Sequence, residues 1–348
     1  MNTAVIQQPA KQRRSESVWA ASWRRLKTDK VGMGAMYVVA LCLALVLATL
    51  TGVLASGWQQ EVAVPNAPPT FMGPAPAEDI GTVAAAKGPN VDISDIDPLA
   101  PKYKEWAERA KAYATAEHPR EQTRPLGGDR LCRDVLAKVL KGSQVSIVVG
   151  LLAALVATLI GTVLGAISGF FGGKVGDFLE WLYNVFTAMP DILLIFAFAA
   201  VLGRGIVPVA MILALTGWTG IYRLIRAEFI KHSVREYVRS AEAIGASRIS
   251  RMFKHILPNV SHVALVQLSL HVVSFIKAEV ILSYLGLGVS VDQVSWGTML
   301  AEAQSELILG YWWQLVAATG FMAVFVTAFS LMTDALRDAL DPKLRGLE

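Results

Sequence analysis

Apolar residues along this 348-residue chain gather into long runs separated by polar stretches. A helix that crosses the hydrocarbon core of a bilayer needs about 20 mainly apolar residues. Six stretches meet that length: 33–56, 144–168, 178–202, 205–225, 260–285 and 312–335. Only Gly203 and Arg204 separate the third from the fourth, which predicts a tight helical hairpin. An even number of spans puts both termini on one side. The first run follows a basic leader and exceeds the roughly 7–15-residue apolar core of a secretory signal, so it predicts an uncleaved span.

The polar stretches divide the rest. Residues 1–57 form a basic tail and the first span, 58–143 a long segment on the opposite side, 144–340 a five-helix core, and 341–348 a tail. Pro65, Pro68, Pro69, Pro74 and Pro76 predict an extended linker. Between Pro101 and Ala116, the spacing of Tyr103, Trp106, Ala107, Ala110, Tyr113 and Ala114 predicts a short amphipathic helix. A second such helix is expected at 129–142, with Leu131, Val135, Leu136, Val139 and Leu140 on one face. The plainer reading of both is that they lie on the bilayer surface or pack on the bundle.

Charge sets the orientation. The N-terminal tail holds seven Lys/Arg against Glu16 and Asp29. The loop after the fourth span carries Arg223, Arg226, Lys231, Arg235, Arg239, Arg248, Arg251 and Lys254, and the C-terminal tail adds Arg337, Lys343 and Arg345. The loop 286–311 has Asp292, Glu302 and Glu306 and no basic residue. Basic loops stay inside, so both termini and the 226–258 loop are cytoplasmic. An apolar fraction of 54% with only 17% charged residues excludes an ordinary soluble domain. No basic block is interleaved with aromatics, so nucleic-acid binding has no support. Cys42 and Cys132 show no metal-ligand or redox spacing.

The loop 233–258 carries the chemistry. Ser233 and Glu236 have the spacing of a capping box, and Val234, Tyr237, Val238 and Ala241 share one face of the helix it would start. Gly245 permits the positive φ that ends a helix. Ser247 can cap a second helix, where Ile249, Met252, Phe253 and Ile256 repeat the spacing, and Pro258 is expected to stop it before the fifth span. Two short amphipathic helices joined at a glycine fit either a surface-lying pair or a docking element for a partner.

This segment resembles the loop of ABC importer membrane subunits in which a Glu-Ala-Ala triplet is followed by a glycine and later by Leu-Pro. The triplet positions are Arg239, Ser240 and Ala241, the glycine is Gly245 followed by Ala246 and Ser247, and Leu257-Pro258 falls at the matching distance. His255 to Asn259 is similar to the oligopeptide/dipeptide branch, as are 125–136, 169–173, 283–289, 295–303 and 336–342. The resemblance implies an all-α polytopic membrane protein with a type I importer fold and a cytoplasmic coupling helix. Its implied partners are a second homologous permease subunit, two ATP-binding subunits and a periplasmic solute-binding protein. ATP and Mg would be bound by those partner subunits, and this chain would need no cofactor. The nearest string to a phosphate loop, Gly172 to Val175, lacks the required spacing and hydroxyl. Di- or oligopeptides are the implied cargo; nickel, glutathione and antimicrobial peptides are the alternatives in the same branch. A stand-alone carrier using Asp191, Lys277 and Glu279 is the reading from a different class.

Within the spans, Gly161, Gly165 and Gly169 form a tandem small-residue face suited to close helix packing. Met189-Pro190-Asp191 should break the third span, leaving Asp191 to line the pathway or to make a structural hydrogen bond. Lys277 and Glu279 point apart, and Glu279 either lies along the route or holds the end of the fifth span. The five histidines form no i,i+4 pair, so a metal cluster is not expected.

Overall fold

The computed structural model describes residues 24–74, 98–113 and 120–340. Arg13, Arg14, Pro76, Ala114, His118, Pro342, Lys343 and Arg345 lie outside the described residues. Ten helices of eight residues or more follow in order: α1 (Lys30–Leu50), α2 (Tyr103–Tyr113), α3 (Val135–Phe171), α4 (Gly173–Thr187), α5 (Asp191–Leu202), α6 (Ile206–Ser233), α7 (Glu236–Ala243), α8 (Leu257–Tyr284), α9 (Trp296–Ile308) and α10 (Trp313–Leu340). Among the described residues, five helical runs are long and apolar enough to cross a membrane, and α4 with α5, taken as one span, makes the sixth.

The break at Met189-Pro190 is sharper than a kink. Proline has no amide to donate and forces the preceding residue out of helical geometry, and α4 and α5 meet at 89°. The glycine face of α3 works as a packing seam. A Cβ built on Gly161, Gly165 or Gly169 would stand 2.6, 2.7 or 2.5 Å from the carbonyl oxygen of Trp218, Tyr222 or Arg226. The two backbones therefore touch at every fourth residue of both α3 and α6, a register only glycine allows. Around this pair, Ile147, Val149, Leu213, Ile276 and Phe325 belong to the main buried core.

Two expectations require correction. The amphipathic stretch before span two is not a separate helix: Asp134 accepts from the Leu136 amide at 2.8 Å, and the helix then runs unbroken from Val135 to Phe171. At 37 residues it is about 55 Å long, well beyond the hydrocarbon core. Leu131 lies in the preceding loop and is exposed. Second, residues 57–73 do not hang as a linker. The amides of Val62, Val64, Asn66 and Thr70 donate to carbonyls of Cys132, Glu121, Asp129 and Arg124, and Ala63 and Ala67 are fully buried. Pro65, Pro68 and Pro69 fall at positions that need no donor, so they are compatible with this packed cap.

The acidic loop 286–311 contains α9. Its start is a reciprocal cap: Ser295 Oγ accepts from the Thr298 amide at 3.3 Å, and Thr298 Oγ1 accepts from the Ser295 amide at 2.8 Å. Threonine takes the place of the usual Glu or Gln in this motif.

Candidate functional site

The cytoplasmic element grows directly out of α6. Ser233 is the last residue of that helix, and its hydroxyl donates back to the Ile230 carbonyl at 2.8 Å. It therefore caps nothing, contrary to the capping-box expectation. The helix continues because the apolar face of α6 extends to Phe229, which is fully buried. Instead α7 starts after Arg235, which offers no side-chain cap.

The end of α7 is a Schellman motif. The Gly245 amide donates to the Glu242 carbonyl, and the Ala246 amide to the Ala241 carbonyl, both at 2.9 Å. This pair of bonds requires a left-handed residue at the junction, and Gly245 has φ +89°. Ser247 then accepts from the Ser250 amide at 3.2 Å and opens the next helical turn.

Pro258 does not stop that turn. Residues Arg251–Ile256 form a π-helical turn, and helix runs without interruption from Arg248 to Tyr284. The Leu257 amide donates to the Met252 carbonyl, five residues back. The wider turn accommodates a proline that would clash in an ordinary α-helix.

One face of this element is bound to the bundle. Val238, Met252 and Ile256 join Ala166, Ile221, Ile225, Phe229 and Val260 in a second buried cluster. Glu242 pairs with Arg251 at 2.6 Å, and the Arg251 guanidinium lies over the Phe170 ring at 5.7 Å. The opposite face carries Ile244, Ile249 and Phe253, all exposed, beside Arg239, Ser240 and Arg248. Of the residues singled out from sequence, Ala241 is buried against the bundle, whereas Arg239, Ser240, Gly245, Ser247 and Pro258 are exposed; Ala246 and Leu257 are half-buried.

The acidic and basic residues of the spans separate by position. Glu279 is fully buried; Ser283 Oγ donates to its Oε1 at 2.6 Å, and its Oε2 has no hydrogen-bond partner among the described residues. The Ser283 bond links successive turns of α8. Lys277 lies on the exposed face of α8 with Ser274 and Ile281. Asp191 opens α5 at the 89° bend and is exposed.

A charged cluster on the outward side reaches beyond any one stretch of the sequence. Lys138 is fully buried. Its Nζ donates to Asp129 at 2.7 Å, to Gln314 at 3.0 Å, and to Glu302. Arg133 also pairs with Asp129 at 2.7 Å and with Glu302 at 3.2 Å. Glu306 Oε1 accepts from the Arg130 amide at 3.1 Å. Burial alone would raise Asp129, but the Lys138 ammonium, its hydrogen bond and Arg133 hold the carboxyl below its ordinary range. Burial pushes Glu306 up, since the Arg130 amide and Lys138 oppose it only in part. The cluster ties the cap (Asp129, Arg133), α3, α9 and α10 together.

The sequence profile described as "Binding-protein-dependent transport system inner membrane component" matches residues 161–346, which cover the seam, the coupling element and α8 to α10. The chain belongs to this family. Its relatives extend the match toward the N-terminus. The oligopeptide transport system permease protein OppC of Bacillus subtilis is 34% identical over 71% of this chain and 81% of its own. The dipeptide transport system permease protein DppC of Lactococcus lactis is 28% identical over 94% of this chain and 91% of its own. The glutathione transport system permease protein GsiD of Escherichia coli is 36% identical over 64% of this chain and 73% of its own.

This importer subunit is therefore a multi-pass bacterial inner-membrane protein, the membrane component of an ABC importer rather than its ATPase. The ATPase and the binding protein are separate components. The outward ion cluster of the subunit could have been suspected from Asp129 to Lys138 alone, where a helical face carries a cation next to apolar positions. Its partners Glu302 and Gln314 stand 164 and 176 residues away from Lys138, however, and no local pattern reaches that far.

Proposed function

We propose that this subunit pairs with a second homologous permease and two ATPase subunits to import short peptides delivered by a periplasmic binding protein. The observation that carries the coupling role is the two-faced element at 234–257. Its inner face is fixed to α3, α6 and α8 by buried side chains and by Arg251 over the Phe170 ring, and its outer face offers Ile244, Ile249 and Phe253. An exposed apolar row flanked by Arg239 and Arg248 suits insertion into a cleft of an ATPase. Closure of the ATPases then moves the element as a rigid body, and the spans follow.

In this reading, Asp191 and Lys277 contribute opposite charges to the pathway, where the termini of a peptide need counter-charges. Glu279 braces the pathway wall through Ser283 rather than meeting cargo. A peptide cargo is supported by the oligopeptide and dipeptide relatives. The glutathione relative favours a second reading, a small peptide-like thiol as cargo.

The test is reconstitution of the complete importer in proteoliposomes with its binding protein. Di- to pentapeptides and glutathione are then screened for binding-protein-dependent ATPase stimulation and uptake. Stimulation by peptides with loss of uptake in Lys277→Ala and Asp191→Ala is expected. Uptake of an unrelated solute class, with peptides inert, would sink the cargo assignment. Transport without ATP would sink the coupling role.

A further inference from the structure

A cavity of about 530 Å³ lies between α1 and α10, below the outward cap. Leu41, Cys42 and Leu45 of α1 face Gly320, Phe321 and Val324 of α10 across it. Phe71 of the cap and Trp312 close its outward end, with ring centroids 6.3 Å apart. Its walls ask for almost no hydrogen bond. Ser143 donates to the Val139 carbonyl and accepts from the Trp296 indole, and the Trp313 indole donates to the Gly128 carbonyl. A Cβ at Gly320 would meet nothing within 4 Å, so this glycine leaves the space open.

We infer that this groove holds one acyl chain of a membrane phospholipid. Both long walls belong to membrane-spanning helices, so the surrounding solvent is hydrocarbon. Water has too few polar partners to settle there. An unfilled void would forfeit the dispersion contacts of its lining. A protein helix about 10 Å across would not fit between walls that already contact each other. The aromatic lid stands at the outward end, where ring side chains meet the headgroup region, and limits how far the chain can rise. The acyl chain fills the gap between the first span and the core.

The test uses the complete importer complex in nanodiscs containing phosphatidylethanolamine with a mid-chain diazirine. After illumination, adducts are mapped by peptide mass spectrometry. Adducts on the segments around Cys42 and Gly320–Val324 should exceed those around Leu155 and Leu159, which are exposed on α3, several-fold. Gly320→Trp and Ala317→Leu, which fill the groove, should each cut groove adducts several-fold, whereas Leu159→Trp should not. Should the tryptophan variant fail to assemble, the leucine variant carries the comparison. Equal labelling of groove and α3 surface, or unchanged groove labelling in the filled variant, overturns the inference. Capture of a helix of the second permease by a short thiol-reactive cross-linker at Cys42 also overturns it, since the occupant is then protein.

Discussion

Replacement of Gly245 isolates backbone conformation from packing. The residue has φ +89°, and an added Cβ would meet nothing within 4 Å. Any penalty must therefore come from the left-handed backbone, about 1–2 kcal/mol for an ordinary L-residue, which is roughly a 5–30-fold loss of the intact junction relative to opened forms. Asparagine tolerates this conformation, alanine less so, and β-branched valine least. The variants Gly245→Asn, Gly245→Ala and Gly245→Val should thus reach the membrane at equal levels. Binding-protein-stimulated ATPase activity and uptake in proteoliposomes should fall in that order, with Val lowest. Asn and Val are similar in size, so equal impairment in both would point to sterics and refute the reasoning. Normal uptake with Gly245→Val would refute the coupling role of the junction altogether.

Other perturbations test the bundle and the cap. Gly165→Leu places a side chain 2.7 Å from the Tyr222 carbonyl, so the folded subunit should be lost from the membrane fraction, whereas Gly34→Leu, which meets nothing within 4 Å, should be neutral. Lys138→Met removes the buried ammonium shared by Asp129 and Glu302, leaving Arg133 as the cation that bridges both, and should cost about 3–5 kcal/mol, seen as faster hydrogen exchange over 57–73. Asp129 and Glu306 should respond to pH with opposite sign. The lowered Asp129 contributes stability above its unfolded value that disappears as pH falls through its folded value, so Asp129→Asn should weaken the cap at neutral pH and converge with wild type in acid. The raised Glu306 is favourable while protonated and loses that as pH rises. Glu306→Gln should therefore tighten the cap at neutral pH only, by the same exchange measurement.

Much of the membrane fold is legible because each span is encoded locally. Apolar length marks the helices, and the four-residue glycine repeat of α3 marks the seam with α6. Gly245 and Ser247 are legible for the same reason, since a helix stop and a helix start are each set within a few residues. Other signals are local but mislead. Ser233 has the spacing of a cap, yet Phe229 and the buried face of α6 carry the helix past it. Pro258 reads as a stop, yet a π-helical turn absorbs it. The cap and the ion cluster depend on residues brought together from four elements, and the burial that makes Lys138 important exists only after they assemble. Helix α9 is short, and its start uses a threonine in an unusual place.

The π-helical turn has a further consequence, for angular phase. In an α-helix each residue advances about 100° around the axis, so the one-residue excess stored at Arg251–Ile256 sets the cytoplasmic end of this rod about 100° out of step with the span. That offset turns Met252 and Ile256 onto the buried cluster while Ile249 and Phe253 face outward. No flexible joint lies between them over 37 residues. A displacement imposed at the cytoplasmic end therefore reaches the outward end as tilt or rotation of one shaft. Deleting one residue from the turn would keep the shaft intact but rotate its key out of the lock.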